Sequence, residues 1–321
     1  MSVKPTLLII GPGLIGGSLL TEFLRTDQYA LTVMARSAEQ IAVLSQLGVK
    51  TIQAGLQDLD IIASAVEAHD ITINAASADD VPVAEASINA LGRNPKNAAG
   101  GQKIYIQISG AGVFGHRFSP HNSIDTIYDD SDPEIINSLS PTAPHREVDL
   151  AWHNASQELA GKVKIAIFIP ATVFGIGSGP FRKVSIQIPI KIQAALKDGY
   201  ASYGRDGQAT FAHISISDLV TASTILLDAL QNDKVDVTKN PYFNANNSVE
   251  TKWLDVAKRI GSDLYARGKI PTAEARSSGS EWDFYGVYRP RTTRLRALGW
   301  KETDVDVLGG VSADVEALTS A

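Results

Sequence analysis

Residues 7–17 read Leu-Leu-Ile-Ile-Gly-Pro-Gly-Leu-Ile-Gly-Gly. An apolar strand runs into a glycine-rich turn and then into an apolar-periodic helix. Such a junction aims helix-start N–H groups and the positive end of the helix dipole at a pyrophosphate. Gly11 permits the tight turn, Gly13 lets the backbone approach phosphate, and Gly16 lets the helix pack on the strand. Leu14 and Ile15 belong to the same helix start. About twenty residues on, where an acidic residue would take ribose hydroxyls, the chain has Met34-Ala35-Arg36-Ser37. The planar fork of Arg36 suits a 2′-phosphate, and Ser37 adds a hydroxyl. The expected cofactor is therefore NADP(H) rather than NAD(H).

The elements needed to hold such a site follow from the pattern. Strands fit Thr6–Ile10, Ala30–Ala35, Lys50–Gln53, Asp70–Ala75, Lys103–Ile108 and Val163–Ile169, and helices fit residues 14–25, 37–47, 58–67, 80–92 and 143–161. This alternation predicts an α/β fold: a Rossmann-type, doubly wound parallel sheet with helices on both faces. Ligands on such a sheet bind beyond the carboxyl ends of its strands. The runs to inspect are thus Gly11–Gly17, Arg36-Ser37, Gly55, Ala75–Asp79, Ser109–Phe114 and Pro170–Phe174. Residues 1–175 are expected to form the dinucleotide-binding domain. Residues 176–321 are expected to form mainly a smaller substrate lobe, with some segments returning to the sheet. The polar segment 115–142 reads as an insertion over the site. Residues 182–197 look helical, and Asp218–Leu230 reads as an amphipathic helix capped by Asp218.

Composition narrows the classes of function. The chain has 321 residues, 44% of them apolar, and a net charge of −6. An acidic surface argues against nucleic acid or an anionic membrane as the main partner. There is no cysteine, which excludes disulfides, thiolate catalysis and Cys-type zinc sites. The apolar stretch 6–10 is too short for a signal h-region, and no run approaches the ~18 apolar residues of a membrane span. A cytoplasmic location is expected. The six histidines show no metal-ligand spacing, so no metal is expected. His116 and His121 flank a loop that reads as solvated.

Ser109, His145 and Asp149 together spell a hydrolase-like triad, but the Gly-x-Ser-x-Gly elbow is missing. The local run is Gln107-Ile108-Ser109-Gly110-Ala111, which speaks against that chemistry. His145 and Asp149 stand four apart in a helical pattern, hence on one face. A carboxylate there favours imidazolium and orients the ring, and histidine is a good acid–base near neutrality.

The chain resembles the short-chain dehydrogenase/reductase superfamily, in its extended and atypical branch of epimerase/dehydratase type. The likeness rests on residues 11–17, Asn74-Ala75-Ala76-Ser77, residues 105–115, Ile169-Pro170-Ala171-Thr172-Val173-Phe174-Gly175, residues 213–219 and Leu298-Gly299-Trp300-Lys301. Within the branch it is similar to a fungal group with a Pro-His-Arg-x-Val-Asp segment. The resemblance implies further cofactor contacts from Ala75 and Ala76, and from Pro170, Thr172 and Val173 beside the nicotinamide carboxamide. It also implies dimerisation through helices corresponding to 80–92 and 143–161.

Members of that superfamily use a Ser or Thr, a Tyr and a Lys four residues after the Tyr. Ser109 fits the first position. At the others stand His145 and Asp149, in Pro144-His145-Arg146-Glu147-Val148-Asp149. The literal Tyr265-Ala266-Arg267-Gly268-Lys269 lies in the C-terminal region without the required context and reads as a chance match. The expectation is that Ser109 binds a substrate oxygen, His145 moves its proton, and Asp149 orients His145 or holds the ribose. Gly110, Tyr128, Phe174 and Phe181 are the expected substrate contacts, with Tyr128 as a substitute acid. The function implied is NADP(H)-dependent oxidoreduction of a small carbonyl, enone or hydroxy metabolite. Two alternatives share the fold. One is a non-redox isomerase, dehydratase or cyclase, separable by nicotinamide absorbance during turnover. The other is a non-catalytic NADP sensor, separable by cofactor-dependent partner binding.

Overall fold

The computed structural model describes residues 4–116, 124–281, 283, 284 and 286–320. The first half alternates strand and helix: β1 (Thr6–Ile10), α1 (Leu14–Thr26), β2 (Ala30–Ala35), α2 (Ala38–Gln46), β3 (Lys50–Gln53), α3 (Leu59–Ala68), β4 (Ile71–Asn74), α4 (Val81–Arg93) and β5 (Lys103–Ile108). Next come β6 (Tyr128–Asp129), α5 (Pro133–Asn137), α6 (Arg146–Glu158), β7 (Val163–Pro170), β8 (Thr172–Phe174), α7 (Gln187–Asp198), β9 (Ser202–Tyr203), β10 (Thr210–Ser215) and α8 (Ile216–Gln231). The chain ends with β11 (Tyr242–Ala245), β12 (Glu250–Lys252), α9 (Trp253–Ala266), β13 (Arg276–Ser277), β14 (Pro290–Arg291), α10 (Thr293–Ala297) and α11 (Val307–Thr319).

Seven strands form one parallel sheet in the order β11-β7-β5-β4-β1-β2-β3. Its core follows from the two-residue period of a strand. In β1, Leu8 and Ile10 face one apolar layer while Leu7 and Ile9 face the other. The first layer takes Ile62 of α3, Val83 of α4 and Trp152 of α6. The second takes Leu19 of α1, Leu44 of α2 and Leu226 of α8. Strands covered on both faces need continuous apolar runs, which these sequences have. This is the doubly wound Rossmann architecture.

The order reverses between β1 and β4, where a crevice opens at the carboxyl ends of the strands. α8 and β11, from beyond residue 175, complete the Rossmann half: β11 pairs with β7, and α8 packs on α1. Helices α7, α9 and α11 pack together with the small sheet β12-β10-β8 to form the second region.

Two local expectations are corrected. The cap of α8 is Ser215, whose Oγ accepts the Asp218 N–H at 3.1 Å. Asp218 itself is buried and accepts the N–H groups of Thr303 and Asp304, so its carboxylate fixes a distant loop. The described part of 115–142 is no cover over the crevice. Tyr128 and Asp129 pair with Pro290 and Arg291, Asp130 Oδ2 accepts the Asn244 N–H of β11 at 2.9 Å, and none of residues 124–142 lines the cleft. No helix among the described residues is long and apolar enough to cross a membrane.

Candidate active site

The glycine run is sterically enforced. Gly11 has φ +88°, and a Cβ there would lie 2.7 Å from the Ala76 Cα. A Cβ on Gly16 would lie 2.1 Å from the Gly11 carbonyl oxygen. No real side chain fits either place. At Gly13 the space is open, with nothing within 4 Å of an added Cβ. Gly13 caps α1 without a side-chain hydrogen bond, which leaves helix-start N–H groups for a ligand. Gly13, Leu14 and Ile15 line the cleft together with Ala75 and Ala76. An uncapped helix start behind an open glycine fits a dinucleotide pyrophosphate.

Arg36 follows β2, exposed and with no ion pair among the described residues. Ser37 caps α2, its Oγ accepting the Gln40 N–H at 3.2 Å. Neither lines the cleft proper. They stand at the carboxyl end of β2, the strand paired with β1.

The cleft has a volume of about 590 Å³. On its floor, Ser109 follows β5, its N–H donating to the Phe168 carbonyl at 2.8 Å. The Ser109 Oγ is buried and has no hydrogen-bond partner. Gly110 follows in an extended conformation, and its missing side chain makes room for a ring. A Cβ on Gly110 would sit 3.0 Å from His145 Nε2.

His145 precedes α6 with φ +66°. Such a left-handed backbone is uncommon for a residue with a side chain. It turns the imidazole into the cleft. There Nδ1 lies 2.8 Å from Asp79 Oδ1, while the ring is half-buried and the carboxylate exposed.

Asp149 lies one turn on, its N–H donating to the His145 carbonyl at 3.1 Å. Its carboxylate is fully buried and makes no hydrogen bond of proper geometry. Burial pushes this carboxyl up to about 6, against smaller downward effects of the neighbouring Ser109 hydroxyl and the charges of His145 and Arg146. The expectation that Asp149 orients the ring is therefore corrected: Asp79, on the loop after β4, does so. Arg146, also fully buried, donates to the Tyr242 hydroxyl at 3.2 Å.

The opposite wall carries Pro170, Thr172 and Val173. Thr172 Oγ1 hydrogen-bonds the Tyr288 hydroxyl and donates to Gln187 Oε1 at 2.7 Å. Ser185, Ile186, Ile190, Arg182 and Phe284 complete that end.

Three expected substrate contacts lie elsewhere. Tyr128 is buried, its ring stacked on Phe114 at 4.9 Å. Phe174 is buried against Gly310 and edge-on to His213. Phe181 packs on the core that includes α1. All three are apolar packing, and none lines the cleft. His116 is buried, Nδ1 accepting the Val287 N–H at 3.1 Å, which corrects its reading as a solvated loop residue. His121 lies outside the described residues. Tyr265 is exposed on α9, away from the cleft. No group of three metal-ligating side chains occurs among the described residues.

Asp79 and Tyr288 were missed as individual residues. Asp79 ends the run after β4 that topology marks for inspection. Tyr288 has no local signal, because it reaches the cleft from more than a hundred residues downstream of β7.

Residues 7–239 match the model of the NAD dependent epimerase/dehydratase family. Among curated proteins, oxidase ucsJ of Acremonium sp is 23% identical over 320 residues, covering 90% of each chain. Among solved structures, UDP-glucose 4-epimerase of Thermotoga maritima, with UDP-glucose, superposes with a TM-score of 0.70 at 15% identity, covering 98% of this chain and 99% of that one. The dTDP-glucose 4,6-dehydratase of Bacillus anthracis, in complex with NAD, gives 0.69 at 14% identity, covering 99% and 97%. These likenesses agree with the sheet order, the glycine cradle and the cleft at the switch point: the chain belongs to the NAD dependent epimerase/dehydratase family.

Proposed function

We propose that this protein is an NADP(H)-dependent oxidoreductase acting on a carbonyl, enone or hydroxy metabolite, with His145 as its acid–base. The observation that carries this reading is the placement of the His145 ring, held by Asp79 and seated over Gly110 in the cleft that Ser109 also lines. When bound, the nicotinamide supplies or accepts a hydride at C4. Gly11, Gly13, Leu14, Ile15 and Gly16 would hold the pyrophosphate, and Ala75, Ala76, Pro170, Thr172 and Val173 would flank the nicotinamide half. Arg36 and Ser37 would take the 2′-phosphate, which is the basis for preferring NADP over the NAD held by the dehydratase neighbour.

In the reducing direction, Ser109 Oγ–H donates to the substrate carbonyl oxygen and stabilises the charge that grows there. His145 would give its ring proton to that oxygen on carbonyl reduction and take it back on alcohol oxidation. Asp79 keeps Nδ1 protonated, so that Nε2 is the nitrogen that gives up or takes back the proton. Its exposed carboxylate leaves the pair open to solvent for reprotonation. Asp149 is a buried acid one helical turn on and makes no hydrogen bond to the ring.

Titration with NADPH and NADH, followed by turnover of wild type and His145→Phe, tests the reading. The expected result is tighter NADPH binding by both proteins and abolished turnover in the variant. Equal affinity for the two cofactors, or undiminished turnover, would overturn it. A second reading, epimerisation or dehydration with the cofactor reduced and reoxidised in place, draws on the family match. It predicts no net change in nicotinamide absorbance over a complete turnover.

A further inference from the structure

The substrate end of the cleft has a composition of its own. Ile186 and Ile190 stand one helical turn apart at the start of α7, both lining the cleft, 55% and 48% exposed. Exposed isoleucines at i and i+4 form an apolar stripe facing the cavity rather than the core. Phe284 and Tyr288 line the same cleft.

This wall is fixed rather than loose. The buried Lys191–Asp283 ion pair, at 2.5 Å, ties α7 to the segment carrying Phe284. Asp283 Oδ2 also accepts the Gly204 N–H at 2.8 Å, and Phe284 is braced by the Trp253 ring at 5.2 Å. Thr172 joins the same two elements by bonding both Gln187 and Tyr288.

Charge is scarce at this end. Among the described cleft-lining residues, Arg182 is the sole lysine or arginine. Its Nε and Nη2 already donate to the carbonyls of Val184 and Ser185. A substrate diphosphate calls for several charge-assisted donors, which this wall does not offer. Its remaining polar equipment is one buried, unpartnered hydroxyl, Ser185 Oγ, and the Tyr288–Thr172–Gln187 chain. That suits a single oxygen distant from the reacting carbon.

Resting on the oxidoreductase reading above, we propose that the substrate is a compact apolar carbonyl compound or the corresponding alcohol. Its hydrocarbon ring or chain lies between Ile186 and Ile190 on one side and Phe284 on the other, and it carries no nucleotide.

The test uses the full chain, with trans-2-decalone and UDP-glucose as probes, each titrated with and without NADPH by saturation-transfer NMR. Decalone should bind under both conditions, and UDP-glucose should neither bind comparably nor compete. The double variant Ile186→Thr, Ile190→Thr should weaken decalone binding about tenfold, with NADPH affinity and thermal midpoint unchanged because both positions are exposed. Absent decalone binding, equal binding by the variant, or competition by UDP-glucose would overturn the proposal. Should NADPH fail to bind while isoleucine-dependent decalone binding persists, the cofactor reading falls and the apolar substrate class stands.

Discussion

His145 Nδ1 lies 2.8 Å from Asp79 Oδ1, whereas Asp149, on the helix that His145 begins, makes no hydrogen bond with the ring. The carboxylate nearer in sequence is thus not the one that bonds the ring. A helix start in the left-handed region swings the ring away from its own helix and toward the loop after β4.

Replacing Asp79 by Ala should lower kcat by about tenfold to hundredfold, a fraction of the roughly 10²–10⁴ typical of general acid–base catalysis. KM and cofactor affinity should hardly move, because Asp79 is exposed and holds only the imidazole. Asp79→Asn keeps an acceptor without the charge and should fall between. Steady-state kinetics over pH checks this; a kcat equal to wild type would show that the ring is positioned by other contacts.

Gly110→Ala should act on the same ring from the other side. An added Cβ would meet Nε2 at 3.0 Å, tighter than ordinary van der Waals contact, so the imidazole must shift by a few tenths of an ångström. Since reacting groups misplaced by such amounts lose rate steeply, kcat should drop while NADPH binding, measured by fluorescence, stays intact. A fully active variant would mean that His145 does not need its observed seat.

What the sequence made legible was whatever is local. The ends of β1, β2, β3 and β5 and the start of α1 follow from apolar runs meeting turn residues within a few positions. Gly11 and Gly16 are equally local, since each contacts the same short junction or the loop beside it. Ser109 and His145, both of which line the cleft, stood out because topology marks the strand ends and because one histidine stands where a tyrosine is expected. The partner of His145 was not legible, because helical spacing assumes that residue 145 is helical and its φ of +66° breaks that assumption. Tyr128 and Phe174 misled for a related reason. Aromatic residues near a site in sequence are more often core, and burial, not position, decides between them.

Arg36→Leu should separate the two nicotinamide cofactors. A charge-assisted contact with phosphate contributes about 1.5–3 kcal/mol. NADPH should therefore bind about tenfold to hundredfold more weakly in the variant, with NADH affinity unchanged. Calorimetric titration of both cofactors reads this directly. An equal loss for both would place Arg36 outside the 2′-phosphate site.

Stability should depend on pH through buried acids remote from turnover. Asp314 of α11 has both carboxylate oxygens buried and without a hydrogen-bond partner, and burial pushes its carboxyl up to about 7. In the unfolded chain an aspartate titrates near 3.9. Between those two values the folded protein holds a proton that the unfolded chain has lost, so stability declines as pH rises through that window. The contribution is complete below about pH 4 and lost above about pH 7. Other carboxylates work in the opposite sense, because hydrogen bonds hold Asp129 and Glu302 below their ordinary values despite partial burial. The diagnostic quantity is therefore the difference between wild type and Asp314→Asn. At pH 5 the two should melt alike or the wild type slightly higher; at pH 8 the variant should melt a few degrees higher. A difference that does not grow between pH 5 and pH 8 would mean that the carboxylate is solvated in the folded protein.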